Sequence, residues 1–134
     1  MQFRVLWMKR ALLSCGLLLG AGAVAQEAAE NPFAKVRPIL EAKCVECHTA
    51  NRQEANLRLD TREHALKAGD TGYPAVIPGN ATFSNIGRRI TLLPDHPDVM
   101  PPKDYAVLTP DEIVAIMHWI NAGAPWEEVT LQAK

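Results

Sequence analysis

Hydrophobic residues from position 33 onward recur at steps of three and four, which is the period of one helical face. The repeat comprises Phe33, Val36, Leu40, Cys44 and Cys47. This spacing predicts a first helix that runs into the two cysteines. Pro38 lies inside the stretch, so either the helix begins just before Pro38, which then occupies the first turn, or the helix is kinked there.

Two further short helices are predicted in the middle of the chain. Asp60-Thr61-Arg62-Glu63 has the form of a capping box with an acidic cap, and Gly69 supplies a stop, so a second helix is expected over 61–68. Asn80 is the expected cap of a third helix. The face that this helix would bury comprises Phe83, Ile86 and Ile90. The glycines and prolines of residues 70–79 predict an irregular loop between the two helices.

The last helix has the clearest start signal in the chain. Thr109-Pro110-Asp111-Glu112 combines a capping threonine, a proline at the first helical position and a glutamate at the third. This helix is expected to end at residues 121–123, and its buried face comprises Ile113, Ile116, Met117 and Ile120. The four prolines between Leu93 and Tyr105 exclude a helix from the preceding segment. Strand alternation and internal repeats are absent from the sequence, so we predict an all-α domain of about four short helices with long loops.

The first 25 residues have the three parts of a secretory signal. The positive start comprises Arg4, Lys9 and Arg10. An apolar run follows from Ala11, and Ala23-Val24-Ala25 has the small residues of a cleavage site. An uncleaved membrane anchor is the alternative, but the run from Ala11 to Ala25 is shorter than the roughly 20 residues that a spanning helix needs. We therefore expect export to the periplasm, cleavage near Ala25, and no stable membrane span afterwards.

The composition divides the chain into four parts. Residues 1–25 are the predicted signal peptide, and residues 26–32 are a short, acidic leader that we expect to be flexible. Residues 33–126 contain the helix signals and form the predicted domain. Residues 127–134 follow the last tryptophan and are expected to be a C-terminal tail.

The net charge of the chain argues against polyanionic partners. The chain has 14 Lys plus Arg and 15 Asp plus Glu. Cleavage after Ala25 would remove three positive charges and no negative ones, leaving 11 against 15, a net charge of −4. A protein with this charge has no electrostatic attraction for nucleic acid or anionic lipid.

The chemistry is concentrated at Cys44-Val45-Glu46-Cys47-His48, a C-x-x-C-H sequence. This is the attachment sequence of c-type haem. On a helix, positions 44, 47 and 48 share a face, so two thiols can reach one macrocycle while the imidazole approaches the iron. The motif therefore predicts one covalent haem c, bound through Cys44 and Cys47, with His48 as an iron ligand. The alternatives are a redox-active cysteine pair, which would suit a βαβ pattern, and a zinc site, which would need a second ligand pair; the sequence contains neither.

A low-spin haem carrier needs a second strong iron ligand, most often methionine. Met117 has core spacing on a predicted helix, where methionine usually packs. Met100 precedes Pro101-Pro102, which hold the backbone extended and non-helical, so its side chain can project from the loop toward the iron. We therefore predict Met100 as the second ligand. The rival ligands are His96, which lies in the same loop and is the strongest competitor, and then His64 and His118.

Four other residues have a core or surface role as the first interpretation. Trp119 and Trp126 have the character of core aromatics. An indole N–H could instead reach a haem propionate, and Arg52 or Arg58 could do the same. The sequence leaves these second roles open.

Six short segments share the pattern of a known family. They are Val36–Leu40, Cys44–His48, Leu57–Asp60, Ile77–Gly79, Met100–Pro102 and Trp119–Trp126. Together they resemble the planctomycete-type cytochrome c domain over residues 33–126. The resemblance implies a cytochrome c-like helical fold, one covalent haem, and a methionine-proline segment facing the iron, which maps onto Met100 here. One departure is Ala55-Asn56, at a place where the family is expected to have glycine.

An iron bound on both faces has no open position for a substrate. We therefore expect one-electron transfer between redox partner proteins, without enzymatic activity. The alternatives are a haem-based enzyme subunit and a small-ligand sensor, in each of which Met100 would be displaced from the iron. The sequence does not identify the electron donor, the acceptor, the reduction potential or the oligomeric state.

Overall fold

A computed structural model of the chain describes residues 31–134. The predicted signal peptide and residues 26–30 of the predicted leader lie outside the described residues. The described part is helical and contains no strand, which confirms the all-α prediction. The helices are α1 (Pro32–Lys43), α2 (Arg62–Ala65), α3 (Asn85–Ile90) and α4 (Pro110–Asn121), with a 3₁₀ turn at Glu54–Asn56. Over residues 31–134, none of the helices has the length and apolar character needed to cross a bilayer.

Helix α1 begins at Pro32, which is earlier than the interpretation with Pro38 in the first turn requires. The Asn31 side chain accepts a hydrogen bond from the Phe33 N–H at 3.0 Å, and Pro32 occupies the first turn. Pro38 therefore lies inside the helix, and the alternative that places it in the first turn is wrong. The helix ends where the N–H groups of Cys44 and Val45 both donate to the Leu40 carbonyl, each at 3.0 Å.

The core lies between α1 and α4, which pack against each other. Phe33 of α1 is fully buried, and its ring centroid lies 4.8 Å from that of Trp126 and 6.3 Å from that of Trp119. The indole N–H of Trp119 donates to the Pro125 carbonyl at 2.7 Å, and that of Trp126 donates to the Val129 carbonyl at 3.3 Å. Both tryptophans are thus core aromatics with satisfied N–H groups, as their default interpretation predicted.

Helix α4 begins at the predicted residue. The Thr109 N–H donates to the Glu112 carboxylate at 2.7 Å, and the Glu112 N–H donates to the Thr109 hydroxyl at 3.3 Å, so both halves of the capping box are present. Ile116 and Ile120 are fully buried, while Ile113 and Met117 pack at the edge of the core.

Helix α2 is shorter than predicted and has a different cap. It spans a single turn, and Thr61 caps it by accepting a hydrogen bond from the His64 N–H at 3.4 Å. The Asp60 carboxylate is not free to cap because it is buried and bound to Arg58 at 2.8 and 3.1 Å. The predicted second helix is therefore present, but it ends at Ala65 instead of near residue 68, and the cap predicted at Asp60 is wrong.

Helix α3 begins four residues later than a cap at Asn80 would imply. Asn80 does accept a hydrogen bond from the Phe83 N–H at 3.2 Å, but this bond closes a separate turn. Ser84 is the residue before the helix, and its buried hydroxyl accepts from the Ile77 N–H at 2.8 Å and donates to the Asn80 carbonyl at 2.8 Å. Phe83 consequently lies outside the helix and is 67% exposed, whereas Ile86 and Ile90 are buried as predicted.

The turn at residues 77–80 docks on the end of α4. The Gly79 N–H donates to the Ile120 carbonyl at 2.7 Å, and the Ala81 N–H donates to the Asn121 side chain at 2.9 Å. Gly79 has a φ of +79°, a conformation that glycine adopts without a steric penalty. These bonds satisfy groups at the C-terminal end of α4 and fix the segment that leads into α3.

Residues 127–134, predicted to be a tail, pack on the domain. Leu131 is 1% exposed, and its N–H donates to the Asp60 carbonyl at 2.7 Å. The Lys134 ammonium lies 2.7 Å from the Glu41 carboxylate of α1. Val129 and Leu131 are too few apolar residues in a short irregular segment to produce a periodic pattern, so no pattern in the sequence predicts this packing.

Candidate functional site

The C-x-x-C-H segment lies in a turn that follows α1. The expectation that positions 44, 47 and 48 share a helical face is therefore wrong, because the helix ends at Lys43. The turn stays tight because the Cys47 N–H donates to the Cys44 carbonyl at 3.3 Å. Val45 is fully buried in the core and anchors the segment from inside. The motif residues are thus held close together without a helix.

Backbone hydrogen bonds from the following segment hold this turn in place. The Glu54 N–H donates to the Cys47 carbonyl at 3.1 Å, and the Leu59 N–H donates to the His48 carbonyl at 2.8 Å. The segment that makes these bonds also contributes the side chains of Leu57 and Leu59 to the wall of a cavity beside the motif.

This cavity, which we call the motif cavity, has a volume of about 440 Å³. Cys44, Cys47, His48 and Met100 all line it. Most of the wall is apolar, and its large aliphatic side chains are Leu57, Leu59, Ile86 and Ile90. The cavity thus lies between the turn that follows α1, one face of α3, and the proline-rich loop.

The structure separates Met100 from its rivals as a partner for His48. His96 lies on the wall of a second, smaller cavity, and it accepts a hydrogen bond from the Asp98 N–H at 3.0 Å. His64 lies 2.7 Å from the Thr61 hydroxyl, and His118 is exposed on α4. These histidines are not among the residues that line the motif cavity.

Met117, the other methionine of the described chain, also lies away from the motif cavity. Its sulfur is 3.2 Å from the point that a Cβ on Gly87 would occupy, so the side chain packs between α4 and α3. Met100 is 36% exposed and has no comparable core packing. The surroundings of the two methionines therefore differ, as their positions in the sequence predict.

The pKa of the His48 ring lies below its usual value. Burial lowers its pKa, although the nearby carbonyls of Leu57 and Glu54 act in the opposite direction. Its Nδ1 atom is buried and has no hydrogen-bond partner in the described structure. A neutral imidazole retains a lone pair, which is the form that binds a metal ion.

The cysteines are both free thiols. Burial raises the pKa of the Cys44 thiol to about 12, so this thiol is protonated at neutral pH. A neutral thiol is compatible with an apolar wall. Within residues 31–134, no group of three or more His, Cys, Asp or Glu side chains is arranged as a metal site of the kind that zinc requires.

Arg52, Arg89 and Tyr105 are polar residues of the cavity wall. The sequence predicts no role for Arg89 or Tyr105 and leaves the role of Arg52 open. Arg52 lines the cavity, and the Tyr105 hydroxyl and the Glu54 carboxylate beside it raise the pKa of its guanidinium. Tyr105 and Arg89 also line it. Arg58, by contrast, is paired with Asp60 and does not line the cavity. Tyr105 and Arg89 reach the cavity through tertiary packing, so no local sequence signal identifies them.

These features fit a haem. A largely apolar cavity of several hundred Å³ is of the size that cofactors occupy. Two thiols and an imidazole whose buried Nδ1 atom lacks a hydrogen bond line the cavity, and a thioether side chain lines the same cavity. This is the donor set that a covalent haem with histidine and methionine ligands would require.

Comparison with known families agrees with this chemistry. Residues 44–104 match the family model described as planctomycete cytochrome C. The matched stretch includes the C-x-x-C-H motif, α2, α3 and Met100. No curated protein and no solved structure gives a significant match to the chain.

Proposed function

With residues 44–104 identified as a planctomycete-type cytochrome c domain, we propose that the protein is an exported one-electron carrier with a single covalent haem c. The observation that supports this proposal is that Cys44, Cys47, His48 and Met100 line one largely apolar cavity. Thiols that attach a macrocycle and ligands for both faces of its iron are thereby available in one place.

The four residues have three roles in this proposal. Cys44 and Cys47 would form the thioether bonds, His48 would be the first iron ligand, and Met100 would be the second. Bound haem supplies the exchange of one electron between ferric and ferrous iron. The protein contributes the position of the ligands and the polarity of the wall.

The wall also sets the direction of the reduction potential. Leu57, Leu59 and Ile86 make the cavity wall apolar, and a low-polarity environment favours the less charged ferrous state. A thioether ligand acts in the same direction. We therefore expect a positive reduction potential.

Covalent attachment is tested by extraction. Haem should stay with the denatured protein through acid-organic extraction, and the Cys44→Ala/Cys47→Ala double variant should release it. Either single variant should retain one thioether bond, which makes the two single variants the matched controls. Haem that extracts freely from the unmodified protein would contradict the proposal.

Electron transfer is tested by voltammetry combined with ligand binding. The wild-type protein should show one reversible one-electron couple and should bind carbon monoxide or cyanide slowly, because Met100 occupies the sixth position. Met100 is 36% exposed, so its loop is accessible to displacement by a small ligand. A sensor or an enzyme subunit would use such a displacement. Rapid ligand binding by the wild type would favour that second function over the carrier.

Export is tested by the N-terminal sequence of protein recovered from the periplasm. The sequence should begin at Gln26 or close to it, because the residues before it have the form of a cleaved signal. Recovery of intact Met1 in a membrane fraction would contradict this part of the proposal.

A further inference from the structure

The loop that contains Met100 joins α3 to α4 and has little structure of its own. Residues 93–105 contain four prolines, which lack amide donors, and most of their side chains are exposed. The bonds within its first half are local: the His96 N–H donates to the Leu93 carbonyl at 2.9 Å, and the Val99 N–H donates to the His96 carbonyl at 3.1 Å. Such a loop holds a side chain in a cavity only if it is bonded to a more rigid element.

Arg89 supplies bonds of this kind. Its carbonyl accepts a hydrogen bond from the Met100 N–H at 3.3 Å. Its guanidinium donates to the Asp98 carbonyl at 3.2 Å and lies 2.7 Å from the Asp98 carboxylate. One residue thus binds the loop at Met100 itself and at a position two residues earlier.

The element that contains Arg89 is well anchored. Arg89 lies in the last turn of α3, whose Ile86 and Ile90 are buried and which packs against α4. The Arg89 side chain is 26% exposed, so its ion pair with Asp98 is partly shielded from solvent. A planar guanidinium that bonds a carbonyl and a carboxylate together also restricts direction, which a lysine ammonium does less well.

We propose that Arg89 is a positioning residue that holds Met100 in the motif cavity and so limits the access of external ligands to the iron. The inference rests on the proposed ligation of haem by Met100. The rate at which an external ligand binds depends on the fraction of time for which Met100 is away from the iron. Loss of the Arg89 side chain frees Asp98 and increases that fraction.

The test compares the rate of cyanide binding to the ferric holoprotein in variants at Arg89 and at the neighbouring Arg88. Arg89→Gln should bind cyanide about tenfold faster than the wild type, the factor expected when hydrogen bonds to a charged group are lost. Arg89→Lys should give an intermediate rate because it keeps the charge but not the planar fork. Arg88→Gln is the matched control: it removes the same charge from the same helix, but the Arg88 guanidinium lies over the Tyr73 ring, 5.5 Å from its centroid, whereas the bonds to Asp98 are made by Arg89. Its rate should equal that of the wild type.

A parallel Met100→Ala variant separates failure of this inference from failure of the proposed ligation. If Met100→Ala leaves the ligand-binding rate and the ferric spin state unchanged, Met100 is not the ligand and both ideas fail. If Met100→Ala opens the site while Arg89→Gln behaves like Arg88→Gln, the ligation stands and the role of Arg89 is wrong. The absorption band typical of methionine ligation should weaken in Arg89→Gln but not in Arg88→Gln.

Asp98→Asn provides a second route to the same result. The Asp98 side chain is 60% exposed, so this variant should fold even if Arg89→Gln does not. It should also speed cyanide binding, and the double variant Arg89→Gln/Asp98→Asn should be no faster than the faster single variant. Effects that multiply would show that the two residues act independently and would overturn the proposal. Faster amide hydrogen exchange at Met100 in both single variants is the expected independent sign of a loosened loop.

Discussion

Met100 and Met117 differ in what surrounds their side chains, and this difference predicts opposite consequences of truncation. Met117 packs against Gly87 at the edge of the core, whereas Met100 lines the motif cavity. Met117→Ala should lower the free energy of unfolding by about 1–3 kcal/mol, below the range for a fully buried methionine because the site is only partly buried. Its ferric spectrum should stay unchanged.

Met100→Ala should change the spectrum by shifting the ferric haem toward high spin and should lower the reduction potential. Chemical denaturation and absorption spectroscopy of both variants check the two predictions together. A high-spin Met117→Ala protein beside an unchanged Met100→Ala protein would reverse the assignment, and an effect of His96→Ala alone would indicate a bis-histidine haem.

Asp60 predicts how the stability of the fold depends on pH. Burial by itself raises the pKa of Asp60, but the hydrogen bonds and charge of Arg58 outweigh burial and leave that pKa below its usual range. Because the pKa is lower in the folded chain than in the unfolded chain, the charged pair contributes stability at neutral pH. That contribution is lost as the pH falls below about 4, where an unfolded aspartate becomes protonated.

We therefore expect Asp60→Asn to lower the free energy of unfolding at pH 7 and to have progressively less effect toward pH 3. Urea denaturation at several pH values measures this difference. Asp95→Asn, in the exposed loop, is the control and should have little effect at any of these pH values. A deficit in Asp60→Asn that does not change with pH would contradict the linkage.

The residues of the site show what a single sequence can specify. Cys44, Cys47 and His48 are neighbours in the chain, so a motif is sufficient to bring them to one wall. Arg89 and Tyr105 reach the same cavity only because α3 and the long loop pack beside the motif, and that packing leaves no local signal. The assignment of Met100 as an iron ligand stays a prediction, which the experiments above test.

Among the helices, the success of a prediction depended on whether the capping side chain bonds to the backbone at the predicted helix start. Thr109 and Glu112 bond to each other's backbone, so the start of α4 follows from four consecutive residues. Asp60 instead binds Arg58, and Asn80 closes a turn ahead of α3, so their capping signals indicated the wrong residues. Local signals predict a helix start well only where the capping bonds form, and Glu112 makes its capping bond although its carboxylate also pairs with Lys43 of α1 at 2.7 Å.

Gly87 gives a prediction for α3. A Cβ added there would overlap the Ala81 carbonyl oxygen and press on the Met117 sulfur, so the glycine permits close packing of the helix on its neighbours. Gly87→Ala should lower the free energy of unfolding by about 1–3 kcal/mol, despite the better helix propensity of alanine. Thermal or chemical denaturation checks this, with the exposed position Arg88→Ala as the control. Stabilisation by Gly87→Ala would show that α3 can move away without cost.

For the whole molecule, the C-terminal segment is part of the folded domain. Leu131 is fully buried, and the backbone of its segment bonds to Asp60. Leu131→Ala should lower the free energy of unfolding by about 2–5 kcal/mol, as expected for a buried leucine. Gln132→Ala, at an exposed neighbouring position, should change it by less than about 0.5 kcal/mol. Equal effects of the two substitutions would mean that the segment does not contribute to the core.

The closure of this segment on α1 has a consequence for the order of events during synthesis. The Asn31 and Glu127 side chains meet at 3.4 Å although 96 positions separate them, and the aromatic partners of Phe33 within residues 31–134 are Trp119 and Trp126. If the protein is exported from its N-terminal end as proposed, Cys44–His48 reach the far side of the membrane before α4, which packs against α1. Under that proposal, haem attachment can precede completion of the core between α1 and α4.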